Sequence, residues 1–178
     1  MKKFISKIPA ATAIAGGTVL ALGLALYVAG ARVNTTRSIA VGLYWTSSKP
    51  IEKGDYVLFC PPQVGVMEEA KQRGYLTSGL CPGNYGYLMK KILAVKDDAV
   101  SITDAGVTVN GAPLPLSAPL SQDHAGRPLP RFQSSRFVIG NSEVLLMSDI
   151  SATSFDARYF GPVNRAQIKT VIVPVLTW

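Results

Sequence analysis

Residues 86–95 read GYLMKKILAV, an apolar run with two adjacent lysines, Lys90 and Lys91, at its centre. The run reads as a buried strand, and the alternation of side chains along a strand sends the two lysines to opposite faces, one inward and one outward. A lysine held out of water loses its proton near neutral pH and can then act as a base. Composition alone leaves open that both lysines snorkel to solvent or lie at a strand edge.

Working outward from this run, short segments rich in β-branched and aromatic residues alternate with Gly, Pro, Asn and Asp, the punctuation of an antiparallel β domain. The expected strands are Tyr56–Phe59, Tyr87–Val95, Val100–Thr103, Val107–Val109, Phe137–Ile139, Val144–Met147 and Ile168–Val175. Asn110-Gly111 marks a tight turn, since both residues tolerate positive φ. One short helix is expected over Val66–Arg73, ending at Gly74. The Pro-rich stretch Pro113–Pro130 reads as a long surface excursion.

The N-terminus has a different composition. No charged residue lies between Lys7 and Arg32, and IPAATAIAGGTVLALGLALYVAGA is long enough, at about 1.5 Å per residue, to cross a hydrocarbon core of roughly 30 Å. Lys2, Lys3 and Lys7 precede it, which keeps the N-terminus cytoplasmic and exports the remainder of the chain. The division expected is a stub and transmembrane anchor over residues 1–31 and a periplasmic domain over 32–178, at a bacterial inner membrane. The alternative is a cleaved signal peptide, because Ala29-Gly30-Ala31 has the small-x-small form that signal peptidases cut.

Charge and cysteines narrow the function. The net charge is +7, but residues 32–178 carry 15 basic against 11 acidic side chains. With no basic run longer than two and no basic patch interleaved with aromatics, nucleic-acid binding is not expected. Cys60 and Cys81 are the two cysteines. In an oxidising compartment a disulfide is the natural reading, worth roughly 3 kcal/mol on the chain-entropy account, with two free thiols as the alternative. One histidine and no zinc-type spacing give no expectation of a metal, and no cofactor is expected.

Few routes to bond cleavage remain. His124 sits in the loop-like SQDHAGRPLP, poorly fixed for a triad. A cysteine nucleophile would compete with the disulfide, and Asp149 and Asp156 lack the setting of an aspartic peptidase. A serine activated by a lysine is the route left.

Four blocks, in order behind the apolar segment, resemble the type I (leader) signal peptidases, and more closely the conjugative-transfer signal peptidases of the TraF type. TTRSIAVGLYW (residues 35–45) resembles the nucleophile block S-[apolar]-P-x-G-[apolar]-[aromatic]. GDYVLF (54–59) resembles the G-D-apolar strand. YLMKKILAVKDDAVSI (87–102) resembles the block whose first basic residue is the general base and whose second is structural. SDISATSFDARYFGPV (148–163) resembles G-D-N-x-x-N-S-x-D-S-R-Y-W-G, and TVNGAPL is also family-like. The segment from Cys60 to Cys81 resembles the conjugative branch in particular.

The resemblance implies a mainly β, signal-peptidase-like antiparallel fold and a Ser/Lys serine peptidase. Ser38 would be the nucleophile and Lys90 its base, with Ser154 orienting the lysine. The oxyanion would be held by the Ser38 N–H and the Thr36 hydroxyl. Asp149, with Asp156 and Arg158 as an ion pair assisted by Lys91, would support the site. The implied partners are the lipid bilayer and a membrane-embedded precursor, a conjugative pilin or an exported preprotein, with other conjugation or secretion components. Water or the pilin's own N-terminal amine would resolve the acyl-enzyme. A general signal peptidase and a non-enzymatic periplasmic scaffold are the alternatives.

Three departures bear on geometry. Ala40 replaces the usual proline, so other contacts must hold the bend after Ser38. Lys96-Asp97-Asp98 replaces a P-G-D turn, and Ser148 and Ile150 replace a Gly and an Asn.

Overall fold

The computed structural model describes residues 7–178, with side-chain surroundings from Ala11 onward. The basic residues Lys2 and Lys3 lie outside the described residues. Helix α1 (Lys7–Ala29) is 23 residues long, about 35 Å at 1.5 Å per residue, and is exposed from Ala11 to Ala29. It is long and apolar enough to span a bilayer, which fits a single-pass anchor.

The rest is mainly antiparallel β. A seven-stranded sheet is built from β1 (Ala31–Asn34), β2 (Gly42–Ser47), β3 (Tyr56–Phe59), β5 (Leu88–Ala94), β10 (Glu143–Met147), β11 (Val163–Asn164) and β12 (Ile168–Thr177). Its order is β1-β2-β12-β3-β5-β10-β11. A four-stranded sheet in the order β8-β7-β6-β9 comprises β6 (Ala99–Thr103), β7 (Gly106–Val109), β8 (Ala112–Pro113) and β9 (Ser134–Val138). Outside the sheets lie α2 (Gly65–Gln72), β4 (Ser78–Cys81) and the one-turn helix α3 (Ala157–Phe160).

The expected core strands sit within a few residues of their places. β5 is central, paired with β3 through Tyr56↔Lys91 and Val57↔Lys90 and with β10 through Met147↔Lys91. Asn110 (φ 52) and Gly111 (φ 82) form the expected turn between β7 and β8. β9 begins three residues before the expected strand, at Ser134, because it is recruited by pairing with β6 along polar residues that carry no hydrophobic signal. β1 and β2 had no expected strand at all; they form by pairing with each other and with β12.

Apolar packing divides between the two sheets. Val57, Phe59, Ile92, Val144, Leu146 and Val171 fill one cluster, and Val100, Ile102, Val107, Leu145 and Met147 fill another. Cys60 and Cys81 are joined by a disulfide, with Cα atoms 5.5 Å apart, in a third cluster with Met67, Ala70, Leu76 and Tyr85.

Gly42 closes the base of the loop that carries Ser38. It pairs with Asn34 on one side and Thr177 on the other. A Cβ there would lie 2.1 Å from the Leu176 carbonyl oxygen, and the backbone has φ +153°. The glycine at this point of TTRSIAVGLYW is thus dictated by a close backbone approach. Gly42→Ala is expected to lower stability by about 1–3 kcal/mol, as overpacking against backbone does, read as a drop in melting temperature of the full-length protein in detergent.

Candidate active site

Lys90 and Lys91 occupy opposite faces of β5, as alternation requires. Lys90 is buried and its Nζ donates to Ser154 Oγ at 2.6 Å. Lys91 is half-buried, donates to Asp149 Oδ2 at 2.6 Å and lies 5.6 Å from the centre of the Tyr56 ring. The two ammonium groups respond oppositely. Burial lowers the Lys90 pKa to about 8, against the pull of Asp156 and with a smaller push from Arg158. The hydrogen bond and charge of Asp149 raise that of Lys91. One lysine is poised to lose its proton and the other is fixed as a cation.

Ser154 is held from behind. Arg158 and Asp156 are both fully buried and form a two-pronged ion pair, Nε to Oδ1 and Nη2 to Oδ2, each at 2.8 Å. The remaining guanidinium donors go to carbonyls: Leu116 and Ala152 from Nη1, Ser151 and Ser154 from Nη2. The 2.9 Å bond to the Ser154 carbonyl places that residue under Lys90. Asp156 also caps α3 and accepts from the Ser148 N–H. Lys91 was expected to assist this pair. Its bond goes to Asp149 instead, because the outward face of β5 carries its head away from the buried guanidinium.

Ser38 is half-buried on the loop between β1 and β2, and its Oγ lies 3.1 Å from Thr36 Oγ1. Among the described residues no hydrogen bond joins Ser38 to Lys90. Both line one cavity of about 450 Å³, together with Thr36 and Ser154. Its walls include Leu76, Leu88, Leu120, Leu129, Phe155 and Tyr159, so the two polar groups face an apolar recess.

The Pro-rich excursion forms part of this wall. Asp123 accepts from the Tyr75 hydroxyl and from Arg127 Nε, and Arg73 Nη1 donates to the Pro128 carbonyl at 2.7 Å. The Tyr75 hydrogen bond first, and then those from Arg127 and the Ala125 N–H, pull the Asp123 pKa below its ordinary value. His124 is exposed at the cavity wall, with no hydrogen bond among the described residues.

The departures from the nucleophile and base blocks resolve physically. With Ala40 in place of proline, the Ala40 carbonyl is held by Tyr44 Oη–H at 2.6 Å and by Asn34 Nδ2 at 3.0 Å. In Lys96-Asp97-Asp98, Asp97 takes the left-handed φ of 70° that a glycine would supply. Asp98 closes that turn by accepting from Val95 N–H, Lys53 and Asn110. Ser148 Oγ accepts from the Ile150 N–H at 3.2 Å, stiffening the last block locally.

A family described as signal peptidase, peptidase S26, matches residues 1–177. The chain belongs to the S26 signal peptidase family. It is 65% identical over 178 residues to a plasmid transfer protein TraF of Escherichia coli, covering 100% of both chains. It is 38% identical over 175 residues to a probable conjugal transfer protein TraF of Sinorhizobium fredii, covering 96% of this chain and 90% of that one. Among solved structures, a signal peptidase I from Enterococcus faecalis is similar at 19% identity and a TM-score of 0.41, covering 71% of this chain and 100% of the other.

Within this S26 site, sequence reasoning missed Asn34 and the apolar walls. Asn34 carries no motif signal beyond being an Asn at a strand end before a turn, and the walls come from four separated segments.

The ionisation of Lys90 also bears on stability. Its pKa is about 8 in the fold and near 10.5 in the unfolded chain, so the unfolded state binds the extra proton between those values. The charged lysine therefore weakens the fold fully below pH 8, and stability recovers as pH rises to about 10.5. Lys90→Met is expected to gain about 2 kcal/mol at pH 7, after roughly 1 kcal/mol is offset by the bond lost to Ser154. Melting curves from pH 7 to 10.5 should show that gain shrinking across the window; a gain constant with pH contradicts the assignment.

Proposed function

We propose that the chain is a membrane-anchored serine endopeptidase in which Ser38 is the nucleophile and Lys90 its general base. The observation that carries this is a buried lysine, ionising near 8 and hydrogen-bonded to no carboxylate, that opens onto the same cavity as Ser38. Neutral Lys90 takes the Ser38 proton as Oγ bonds to a peptide carbonyl carbon. The C–N bond then breaks as Lys90 returns the proton to the leaving amine, and a second nucleophile resolves the acyl-enzyme. Ser154 orients Lys90, while the Ser38 N–H and the Thr36 hydroxyl serve the oxyanion. Asp149 with Lys91, and Asp156 with Arg158, support the scaffold. These side chains suffice without a cofactor.

The proposed arrangement is an anchor over residues 1–31 with its N-terminus in the cytoplasm, and a periplasmic peptidase domain over 32–178. Lys2, Lys3 and Lys7 before the span support that orientation. Val33, Trp45 and Val173 share one face of β1, β2 and β12 by register and are all exposed. An apolar face beside the helix supports contact with the bilayer. The substrate is then a precursor whose scissile bond emerges beside the membrane. The plasmid-transfer and conjugal-transfer names of the relatives support a conjugative pilin as that precursor; family membership by itself would equally support a general signal peptidase.

Ser38→Ala and Lys90→Ala are each expected to abolish precursor processing while the protein stays folded and inserted, read by immunoblot of the precursor in membranes. Full processing by either variant sinks the Ser/Lys assignment. The base works unprotonated, so kcat is expected to fall about tenfold per pH unit below 8 and to level off above it. A profile flat from pH 6 to 9 would remove Lys90 from the role.

The acceptor is read from the product. If the precursor's own N-terminal amine resolves the acyl-enzyme, the product is cyclic and about 18 Da, one water, lighter than the linear hydrolysed chain. Intact-mass measurement of the processed pilin distinguishes the two.

A further inference from the structure

The loop that carries Ser38 is organised by one side chain, Asn34, which is 4% exposed. Its Nδ2 donates to the carbonyls of Thr36 at 2.7 Å, Ile39 at 3.0 Å and Ala40 at 3.0 Å. Three carbonyls around one nitrogen fix which end of the amide is which. Its Oδ1 accepts from the Thr36 N–H at 3.1 Å and from Thr36 Oγ1–H at 3.0 Å.

A hydroxyl has a single proton. Since Thr36 gives its proton to Asn34, the 3.1 Å contact between Thr36 and Ser38 has Ser38 as donor. Lys90, for its part, donates to Ser154. In this arrangement the serine proton points at Thr36 rather than at the lysine, and Thr36 has no proton to offer an oxyanion. Asn34 Oδ1 still keeps the Thr36 N–H if the hydroxyl turns away. The hydroxyl can thus leave without orphaning a buried acceptor, which would cost about 1–3 kcal/mol.

We infer that Asn34 is a positioning residue for Thr36: through its bonds to the Thr36 carbonyl, N–H and hydroxyl it sets the place from which the Thr36 hydroxyl proton rotates to the oxyanion as Ser38 turns toward Lys90. The inference rests on the reading of Ser38 as nucleophile.

The test uses full-length protein in detergent and a penem, whose strained amide acylates serine. The Ser38 Oγ–C bond forms, the β-lactam C–N bond breaks, and the serine proton ends on the ring nitrogen. The limiting acylation rate and half-saturating concentration are read by intact mass. Asn34→Ala and Thr36→Val are each expected to lower the limiting rate about 100-fold, the scale of one oxyanion donor, with half-saturation within about threefold and a pH midpoint still near 8. Acting through the same hydroxyl, the double variant should lose no more than about threefold beyond the slower single, whereas a merely structural Asn34 gives losses that multiply.

An Asn34→Ala rate within threefold of wild type, or multiplying losses, overturns the inference. Should Asn34→Ala not fold, the wild type decides: on acylation the ¹⁵N resonance of the Asn34 side-chain amide must move, and an unmoved resonance overturns the inference. Failure of the underlying reading looks different, because wild type would then be unlabelled, or labelled at a residue other than Ser38 by peptide mapping.

Discussion

The structure depends on keeping one ammonium group out of water. Lys90 sits in a strand whose neighbours Val57 and Ile92 are fully buried, and nothing of opposite charge bonds to it. Desolvation of the charged form is therefore the dominant influence on its ionisation. Lys91, one residue on, shows what the same side chain does with a carboxylate and a ring beside it: it stays charged. The pleat alone separates a lysine that sheds its proton near pH 8 from one held as a cation, and the register of β5 with β3 and β10 decides which is which. A slip of one residue would exchange their roles.

A buried charge next to Lys90 would undo this unless it were balanced. Asp156 and Arg158 exert opposing pulls on the lysine, as the two halves of one two-pronged pair. Such a pair is no large net source of stability, since both charges lose their water. Its value lies in the geometry it imposes. The guanidinium gathers the carbonyls of Leu116, Ala152, Ser151 and Ser154, so it fixes the Ser154 turn and ties the start of the Pro-rich excursion to it. The partner of Lys90 and part of the cavity wall are thereby set by one side chain.

What could be read from the sequence was what short-range periodicity carries. The 86–95 run, the Asn110-Gly111 turn and the strand at 56–59 announce themselves because their neighbours in sequence are their structural context. Likewise Ser38, Lys90 and Ser154 stand in recognisable blocks, and the structure gathers them around one cavity. β1 and β2 were not legible, since ARVN and GLYWTS become strands only by pairing with each other and with a segment over 120 residues further on. Asn34 was missed for a related reason. Its five hydrogen bonds are local, but they exist only once the Asn34↔Gly42 pair closes the loop. The role of residues 113–130 was equally hidden, because the pairing of Asp123 with Tyr75 joins segments 48 residues apart.

The junction between helix and sheet limits how the site can reach a substrate. Only Gly30 separates α1 from β1, and it is buried against Trp45 and Thr46 with no room for a Cβ. Arg32 Nη1 donates to the Tyr27 carbonyl at 2.7 Å, and its guanidinium lies 4.0 Å above the Tyr27 ring. The Thr46 N–H bonds the Gly30 carbonyl at 2.9 Å. The residues between helix and Ser38 are therefore not a tether: three of the first four after Ala31 belong to a paired strand, and Asn34 immobilises the rest. With α1 in a bilayer, Ser38 and the cavity it lines stand at a set height above it.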